Sequence, residues 1–456
     1  MNKASSKLKV IIGLGKTGIS CVRYLTGQGF TNLVVMDTRL DPPELQKLIK
    51  EFPKVRAYLG GFDEEVLLQA DQIIVSPGVS LAESSIALCI EQGIDVVGDV
   101  ELFARVAQAP IVAVTGSNGK STVTDLVGEM IEASGKKAGV GGNIGMPVLD
   151  LLGKNEKVDF YVLELSSFQL ESIKSLKAKV AVILNIFSDH MDRYPDFSHY
   201  LAAKERIYRG CEIAVVNRDD QTIYANVKLP QKVIGFGGSK PQTGDFGFAD
   251  GYLLHGEEKL LPVSELKIKG LHNAKNALAA LALGFAIDLP ISAMTQALHN
   301  FSGLPHRCQW IAKINGVDWY NDSKGTNVGA TKSAIEGLGS EASGKIILIA
   351  GGIGKGADFS LLRSAVEKYV KTVVLIGKDA KLIEKALAKS GKILHASSMQ
   401  DAVKFSSKEA ISGDAVLLSP ACASFDMFDN FEHRGEVYRG QVLTFDNKNS
   451  LSNVKT

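Results

Sequence analysis

The sequence predicts an α/β protein of three successive units, each an open, mostly parallel sheet flanked by helices. Three observations predict it. Apolar runs of strand length alternate with stretches of helical spacing, glycine-rich turns close several of those runs, and polar clusters recur just past their carboxyl ends. At about 150 residues per domain, a chain of 456 residues has room for three such units.

In order, residues 9–13 read as a strand ending in glycine, 17–28 as a helix and 32–36 as a second strand. Asp71-Gln-Ile-Ile-Val-Ser-Pro-Gly78 reads as a strand that ends in a sharp turn. A second unit begins near Pro110, with a strand at 111–114, a helix ending near Ala133, and strands at 160–163 and 180–184. The polar, glycine-rich stretch 235–256 reads as hairpins or loops. Helical spacing over 273–287 leads to Gly303-Leu-Pro305, a natural hinge. The third unit alternates strand 345–350, helix 358–370, strand 372–376, helix 379–390, and strands 392–395 and 415–418, and residues beyond 446 read as disordered.

Composition narrows the function. Hydrophobic residues make up 45% and charged residues 22%, the balance of a folded globular core. With 51 basic and 50 acidic residues the formal net charge is +1, and no basic stripe interleaves with aromatics. Nucleic acid and anionic lipid are therefore not expected as partners. Five scattered cysteines without a CxxC pair read as reduced thiols, neither a disulfide framework nor a zinc site. No apolar run approaches the roughly 20 residues that span a membrane, so no membrane association and a cytoplasmic location are expected.

Val112-Ala-Val-Thr-Gly-Ser-Asn-Gly-Lys-Ser-Thr122 reads as a phosphate cradle for ATP. Gly116, Ser117, Asn118 and Gly119 form a turn whose backbone N–H groups converge on phosphate oxygens, and a helix N-terminus adds positive potential. Lys120 reaches the outer phosphates, while Ser121, followed by Thr122, offers a hydroxyl to Mg2+. Position 114 is Val where the common G-x-x-x-x-G-K-[ST] spacing has Gly, so the loop is a shortened form. Glu164 ends a strand in Leu163-Glu-Leu-Ser-Ser-Phe-Gln169, the position of a Mg2+ ligand or of a solvated strand-end glutamate. His190 is crowded by Asp189 and Asp192, which suits a metal, a phosphate or a structural role. Lys204, beside Glu205 and Arg206, reads by itself as an exposed helical lysine.

Gly13-Leu-Gly-Lys-Thr-Gly18 matches G-x-G-x-x-G after a strand, with Asp37 after the next one, a pattern open to a dinucleotide or another nucleotide. In the third unit, Asn321-Asp-Ser-Lys-Gly-Thr-Asn327, Gly351-Gly-Ile-Gly-Lys-Gly-Ala-Asp358 and Ser419-Pro-Ala-Cys-Ala-Ser424 follow strands and together suit a small anionic substrate.

Several unusual strings occur in order: Gly142-Asn-Ile-Gly145, Leu163-Glu-Leu-Ser-Ser-Phe-Gln-Leu170, Asp189-His-Met-Asp-Arg-Tyr194, Gly303-Leu-Pro-His-Arg307, Asn321-Asp-Ser-Lys324 and Ser419-Pro-Ala-Cys-Ala-Ser424. On these strings the chain, from Gly13 to Arg434, resembles the bacterial Mur ligases of peptidoglycan synthesis. The resemblance implies a UDP-binding Rossmann-like domain over 1–98. A central ATP-binding domain over 99–303 and a C-terminal Rossmann-like domain over 304–456 would follow. It implies a monomer that adds D-glutamate to UDP-N-acetylmuramoyl-L-alanine, with ATP as co-substrate and two Mg2+ ions. By the same resemblance Lys16, Thr17, Asp37, Thr38, Arg39, Ser76 and Gly78 surround the uridine diphosphate, and Asn143 contacts the nucleotide-sugar stem. Lys120 holds ATP phosphates, and Asn276, Arg307 and Asp322 hold adenine, phosphate and ribose. Ser121 and Glu164 serve one Mg2+; His190 and Lys204, the latter as a carbamate, serve the other. Thr326, Lys355, Ser424 and Phe431 receive D-glutamate. Lys16 and Ile353 depart from the family pattern, which has an apolar residue and Asp at those places.

Four other readings compete, one of them a structural or scaffolding role that would leave three strand-end polar clusters without purpose. A nicotinamide-dependent dehydrogenase accounts for the first glycine loop and leaves the ATP loop idle. A P-loop motor on nucleic acid conflicts with the balanced charge. A folate polyglutamate ligase has no use for an N-terminal nucleotide unit.

Overall fold

The computed structural model describes residues 7–452, apart from 154–156, 188, 190, 192, 269, 342 and 389. Two compact units are formed, one comprising Met1–Ile186, Ser198–Pro262 and Asn276–Leu298, the other Phe187–Phe197, Val263–Lys275 and His299–Thr456. The α/β class and the mostly parallel sheets match the sequence expectation.

The first unit holds two sheets. β1 (Lys9–Ile12), β2 (Leu33–Asp37), β3 (Arg56–Leu59), β4 (Gln72–Val75) and β5 (Asp95–Val97) pair in parallel in the order β3-β2-β1-β4-β5. Val10, Ile12, Val34, Met36 and Ile73 from these strands share one buried cluster. The order reverses at β1, so the glycine loop after it opens on the crevice where open α/β sheets bind ligands.

The second sheet contains β6 (Ile111–Thr115), β7 (Ala138–Gly142), β8 (Phe160–Glu164), β9 (Val180–Ile183), β10 (Ile213–Asn217), β11 (Lys232–Phe236), β12 (Phe246–Ala249), β13 (Tyr252–His255) and β14 (Glu258–Pro262). Its order is β14-β13-β12-β11-β10-β9-β6-β8-β7, parallel except for the antiparallel meander β12–β14. That meander takes in the second half of the polar excursion expected as hairpins or loops. β6 and β8 pair with Val114 opposite Glu164, which sets Glu164 beside the start of the phosphate loop.

The second unit carries β15 (Gln309–Ile314), β16 (Val317–Asn321), β17 (Ile346–Gly351), β18 (Val370–Ile376), β19 (Lys392–His395) and β20 (Ala415–Leu418), ordered β15-β16-β20-β17-β18-β19. Ile346, Leu348 and Ala350 face one core and Ile347 and Ile349 the other, the alternation of a strand covered on both faces. The hairpin β15–β16 turns through Asn315-Gly316, both at positive φ (+53° and +79°). That Asn-Gly pair between two strand-length runs is a hairpin signal that sequence reasoning passed over. The last helix runs Phe431–Ser452, past the point where disorder is expected, because each added residue of an existing helix gains a hydrogen bond without a new nucleation cost.

Candidate active site

At the end of β6 the chain turns through Gly116 and Gly119, at φ +155° and +82°, into the helix Lys120–Ala133. Gly119 takes a left-handed conformation, and a Cβ there would lie 2.3 Å from Asn276 Oδ1. Asn185 clamps the loop: its Oδ1 accepts from Asn118 N–H at 2.9 Å and its Nδ2 donates to Asn118 O at 3.0 Å. Lys120 Nζ donates to the carbonyls of Gly116 and Ser117, each at 2.8 Å.

Glu164, 1% exposed, accepts from Ser121 Oγ at 2.5 Å and from Asn143 Nδ2 at 2.7 Å. The solvated-glutamate alternative therefore fails: the carboxylate is buried against the hydroxyl of the phosphate loop. Lys204 is 2% exposed, not the exposed helical lysine its charged neighbours imply. Its Nζ donates to Gly116 O at 2.9 Å, next to the Tyr200 ring, whose hydroxyl lies 2.9 Å from Ser117 Oγ. Sequence reasoning passed over Tyr200; its place one helical turn before Lys204, on the same face, was the available signal. His190, like Asp192, lies outside the described residues. Lys120, Ser121, Glu164, Asn143, Lys204 and Asn276 are thus brought together around one strand-end loop.

Around β1, Asp37 is buried and committed. Its carboxylate accepts from Leu14 N–H at 2.7 Å and from Arg39 N, Nε and Nη2 at 2.7–2.9 Å. Burial pushes its pKa up, but the bonds from Arg39 and Leu14 outweigh that and hold it near 2. Asp37 therefore shapes the glycine loop and orients Arg39. Ser76 Oγ donates to Gly13 O at 3.0 Å, and Gly18 approaches Gly13 O so closely that a Cβ would lie 2.0 Å from it. Lys16 opens the helix Lys16–Gly27 beside Thr17, with Thr38 and Gly78 in the turns after β2 and β4.

In the second unit the clusters after β16, β17 and β20 interlock. Ile353 and Ala423 exchange backbone hydrogen bonds at 2.9 Å, and Ala421 N–H donates to Gly325 O at 2.8 Å. Asp322 accepts from Ser419 Oγ at 2.7 Å and from Cys308 N–H at 3.1 Å, and burial raises its pKa to about 6. The positive charge of Arg307 acts on the same carboxyl. Ser424 is buried at the end of its loop, Lys355 takes φ +50° in the β17 loop, and Thr326 N–H bonds Lys324 O. Lys324 Nζ sits 3.9 Å from the centroid of the Phe431 ring. Arg434 ties two of the clusters together: buried, it donates to Ser323 Oγ and O and to Cys422 O at 2.8–3.1 Å. No local sequence pattern marks Arg434 for that role.

A phosphate loop on a central parallel sheet, a glycine loop at the switch point of a first sheet and a polar strand-end cluster on a third define a three-sheet nucleotide-binding α/β protein. The chain belongs to the Mur ligase family. Family models match it as the Mur ligase MurD-like N-terminal domain over residues 7–98, the Mur ligase middle domain over 114–284 and the Mur ligase glutamate ligase domain over 306–422. A UDP-N-acetylmuramoylalanine–D-glutamate ligase of Coxiella burnetii is 51% identical over 443 residues, covering 96% of this chain and 99% of the relative. The ligase of the same name from Pseudomonas syringae pv. tomato is 51% identical over 449 residues, covering 96% and 98%. Among solved structures, the UDP-N-acetylmuramate-alanine ligase of Thermotoga maritima shares the fold with a TM-score of 0.62 at 17% identity, covering 96% of this chain and 99% of that one. A folylpolyglutamate synthase of Mycobacterium tuberculosis shares it with a TM-score of 0.55 at 15% identity, covering 73% and 91%.

Proposed function

We propose that this chain is an ATP-dependent ligase that joins D-glutamate to UDP-N-acetylmuramoyl-L-alanine in the cytoplasmic synthesis of peptidoglycan precursors, acting as a monomer. The observation that carries the reading is the convergence of Lys120, Ser121, Glu164 and Lys204 on one strand-end loop. It occurs in a chain that matches ligases of that name along 96% of its length. A folate substrate is disfavoured because Asp37, Arg39 and Ser76 build a second loop at the switch point of a separate first sheet.

Joining a carboxylate to an ammonium group in water is uphill, so the carboxylate is activated. A carboxylate oxygen of the alanyl end attacks the γ-phosphorus of ATP; the bond to the ADP oxygen breaks and an acyl phosphate forms. The amine of D-glutamate, having lost a proton, attacks the acyl carbon, and the tetrahedral intermediate expels phosphate. Lys120, at the mouth of the loop, offsets charge on the transferring phosphoryl group, and the loop N–H groups position it.

The residues present fit Mg2+. Ser121 and Glu164 form a buried oxygen pair beside the phosphate loop, the hard donors Mg2+ prefers, and would hold one ion. A second would be held by His190 and by Lys204 as a carbamate, since an ammonium has no lone pair to give. Bound Mg2+ supplies charge neutralisation to phosphoryl oxygens. We assign uridine diphosphate to Lys16, Thr17, Thr38, Arg39, Ser76 and Gly78, with Asp37 shaping the loop, and the sugar stem to Asn143. Asn276, Arg307 and Asp322 serve the rest of ATP, and Thr326, Lys355, Ser424 and Phe431 serve D-glutamate. The corresponding domains are 1–98, 99–303 and 304–456, with neither nucleic acid nor membrane as partner.

The test is phosphate release from ATP with UDP-N-acetylmuramoyl-L-alanine, with D-glutamate, L-glutamate or neither. Release that requires D-glutamate is expected. Turnover without the UDP substrate, or equal use of L-glutamate, overturns the assignment.

A further inference from the structure

Glu101 lies in the helix Asp99–Ala104, which leads out of the first sheet after β5. Its side chain is 0% exposed. Oε2 accepts the N–H groups of Lys174 and Ser175, each at 2.8 Å, while Oε1 accepts Ser175 Oγ at 2.7 Å and Arg105 Nε at 2.8 Å. Burial pushes its pKa up, but the N–H groups of Ser175 and Lys174 and its other donors outweigh this and hold it below the ordinary range. A buried carboxylate with so many donors is a strong, directional tie.

The tie has reinforcement. Asp95, at the start of β5, accepts from Lys174 Nζ at 2.8 Å, and a Cβ on Gly98 would lie 2.2 Å from Ser172 Oγ. The receiving segment 172–175 follows the helix Ser167–Glu171, whose N-terminus is locked by a capping box between Ser166 and Gln169 just past Glu164. The exit of the first sheet is thus pinned to the chain segment that emerges from the Glu164 strand.

We infer that Glu101 is a positioning residue for ligation, holding the first sheet in register with the Glu164 strand. The inference rests on the function proposed above. The substrate binds by its uridine diphosphate at the first sheet and reacts at its other end, so the position of its carboxylate depends on how the two sheets are joined. Reacting groups misplaced by about 1 Å lose on the order of a hundredfold in rate.

The test compares Glu101→Ala, Glu101→Gln and Ser175→Ala with the wild-type enzyme. UDP binding probes the first sheet alone, ADP binding the phosphate loop alone, and kcat their alignment. Glu101→Ala is expected to lower kcat by about tenfold to a hundredfold, with Kd for UDP and for ADP within about twofold of wild type. Glu101→Gln, which keeps shape and one acceptor, should fall between. An unchanged kcat in folded Glu101→Ala overturns the inference, as does a loss of kcat matched by parallel losses of UDP and ADP binding. Should Glu101→Ala fail to fold, the same split is read on the other two variants. Absence of UDP-substrate-dependent phosphate release by the wild type would instead overturn the function itself.

Discussion

Lys120 and Lys204 both donate to the carbonyl oxygen of Gly116, at 2.8 and 2.9 Å, although 84 residues separate them in the chain. With Lys204 as the proposed carbamate, Lys120 is the cation of this pair, and it is Lys120 that offsets the charge of a polyphosphate at the end of β6. Lys120→Ala should remove about 2–4 kcal/mol of transition-state stabilisation, a loss of roughly a hundredfold or more in kcat. UDP binding at the first sheet should be unaffected. Steady-state kinetics and UDP titration check both; near-normal turnover would remove Lys120 from the phosphoryl path.

Gly119 and Gly27 make a matched pair of tests. At Gly119, a left-handed backbone and the 2.3 Å approach to Asn276 leave no room for a methyl group. Gly119→Ala should cost about 1–2 kcal/mol in backbone strain alone, lower Tm by roughly 2–8 °C and weaken ADP binding. Gly27, at the end of its helix with open space around it, should accept alanine with unchanged or slightly raised Tm. Thermal melts of the two variants give the comparison; equal Tm values would show that Gly119 tolerates a side chain.

Lys204 tests the proposed carbamate. Its burial beside Gly116 and Tyr200 excludes the solvent-pointing helical lysine. Activity should fall in CO2-depleted buffer and return with bicarbonate, and Lys204→Ala should be folded but nearly inactive. Intact mass spectrometry at high bicarbonate offers an independent reading. Full activity indifferent to bicarbonate would make Lys204 a packing residue.

Asp99 predicts a pH dependence of stability. It is buried, one of its carboxylate oxygens has no partner among the described residues, and burial raises its pKa from 3.8 to about 6 despite the backbone N–H of Val100. Between those values the unfolded chain has released the proton that the native state still holds, so this group favours unfolding as pH rises. The penalty is absent below about pH 4, grows to about pH 6 and then levels off, on the order of 3 kcal/mol. Asp99→Asn should therefore melt at a higher temperature than wild type at pH 7.5, with the difference vanishing near pH 4. Asp322 shares the window and keeps part of the pH dependence in that variant. A Tm difference that does not change with pH would show that Asp99 is ionised in the folded protein.

The amino-acid sequence by itself determined the strand–helix alternation, the two glycine loops and the phosphate loop, since each is written in adjacent residues: apolar runs of strand length, glycines where φ is positive, a lysine and hydroxyl at a helix start. Partnership across the chain is a different matter. Glu164 meets Ser121 because β8 pairs with β6 at Val114, a sheet order that no local pattern encodes. The burial of Lys204, the commitment of Asp37 to Arg39 and Leu14, and the bonds from Glu101 to residues 174 and 175 were decided the same way. Propensity acts between neighbours in sequence, whereas desolvation and hydrogen-bond pairing act between neighbours in space, and only the tertiary structure says which residues those are.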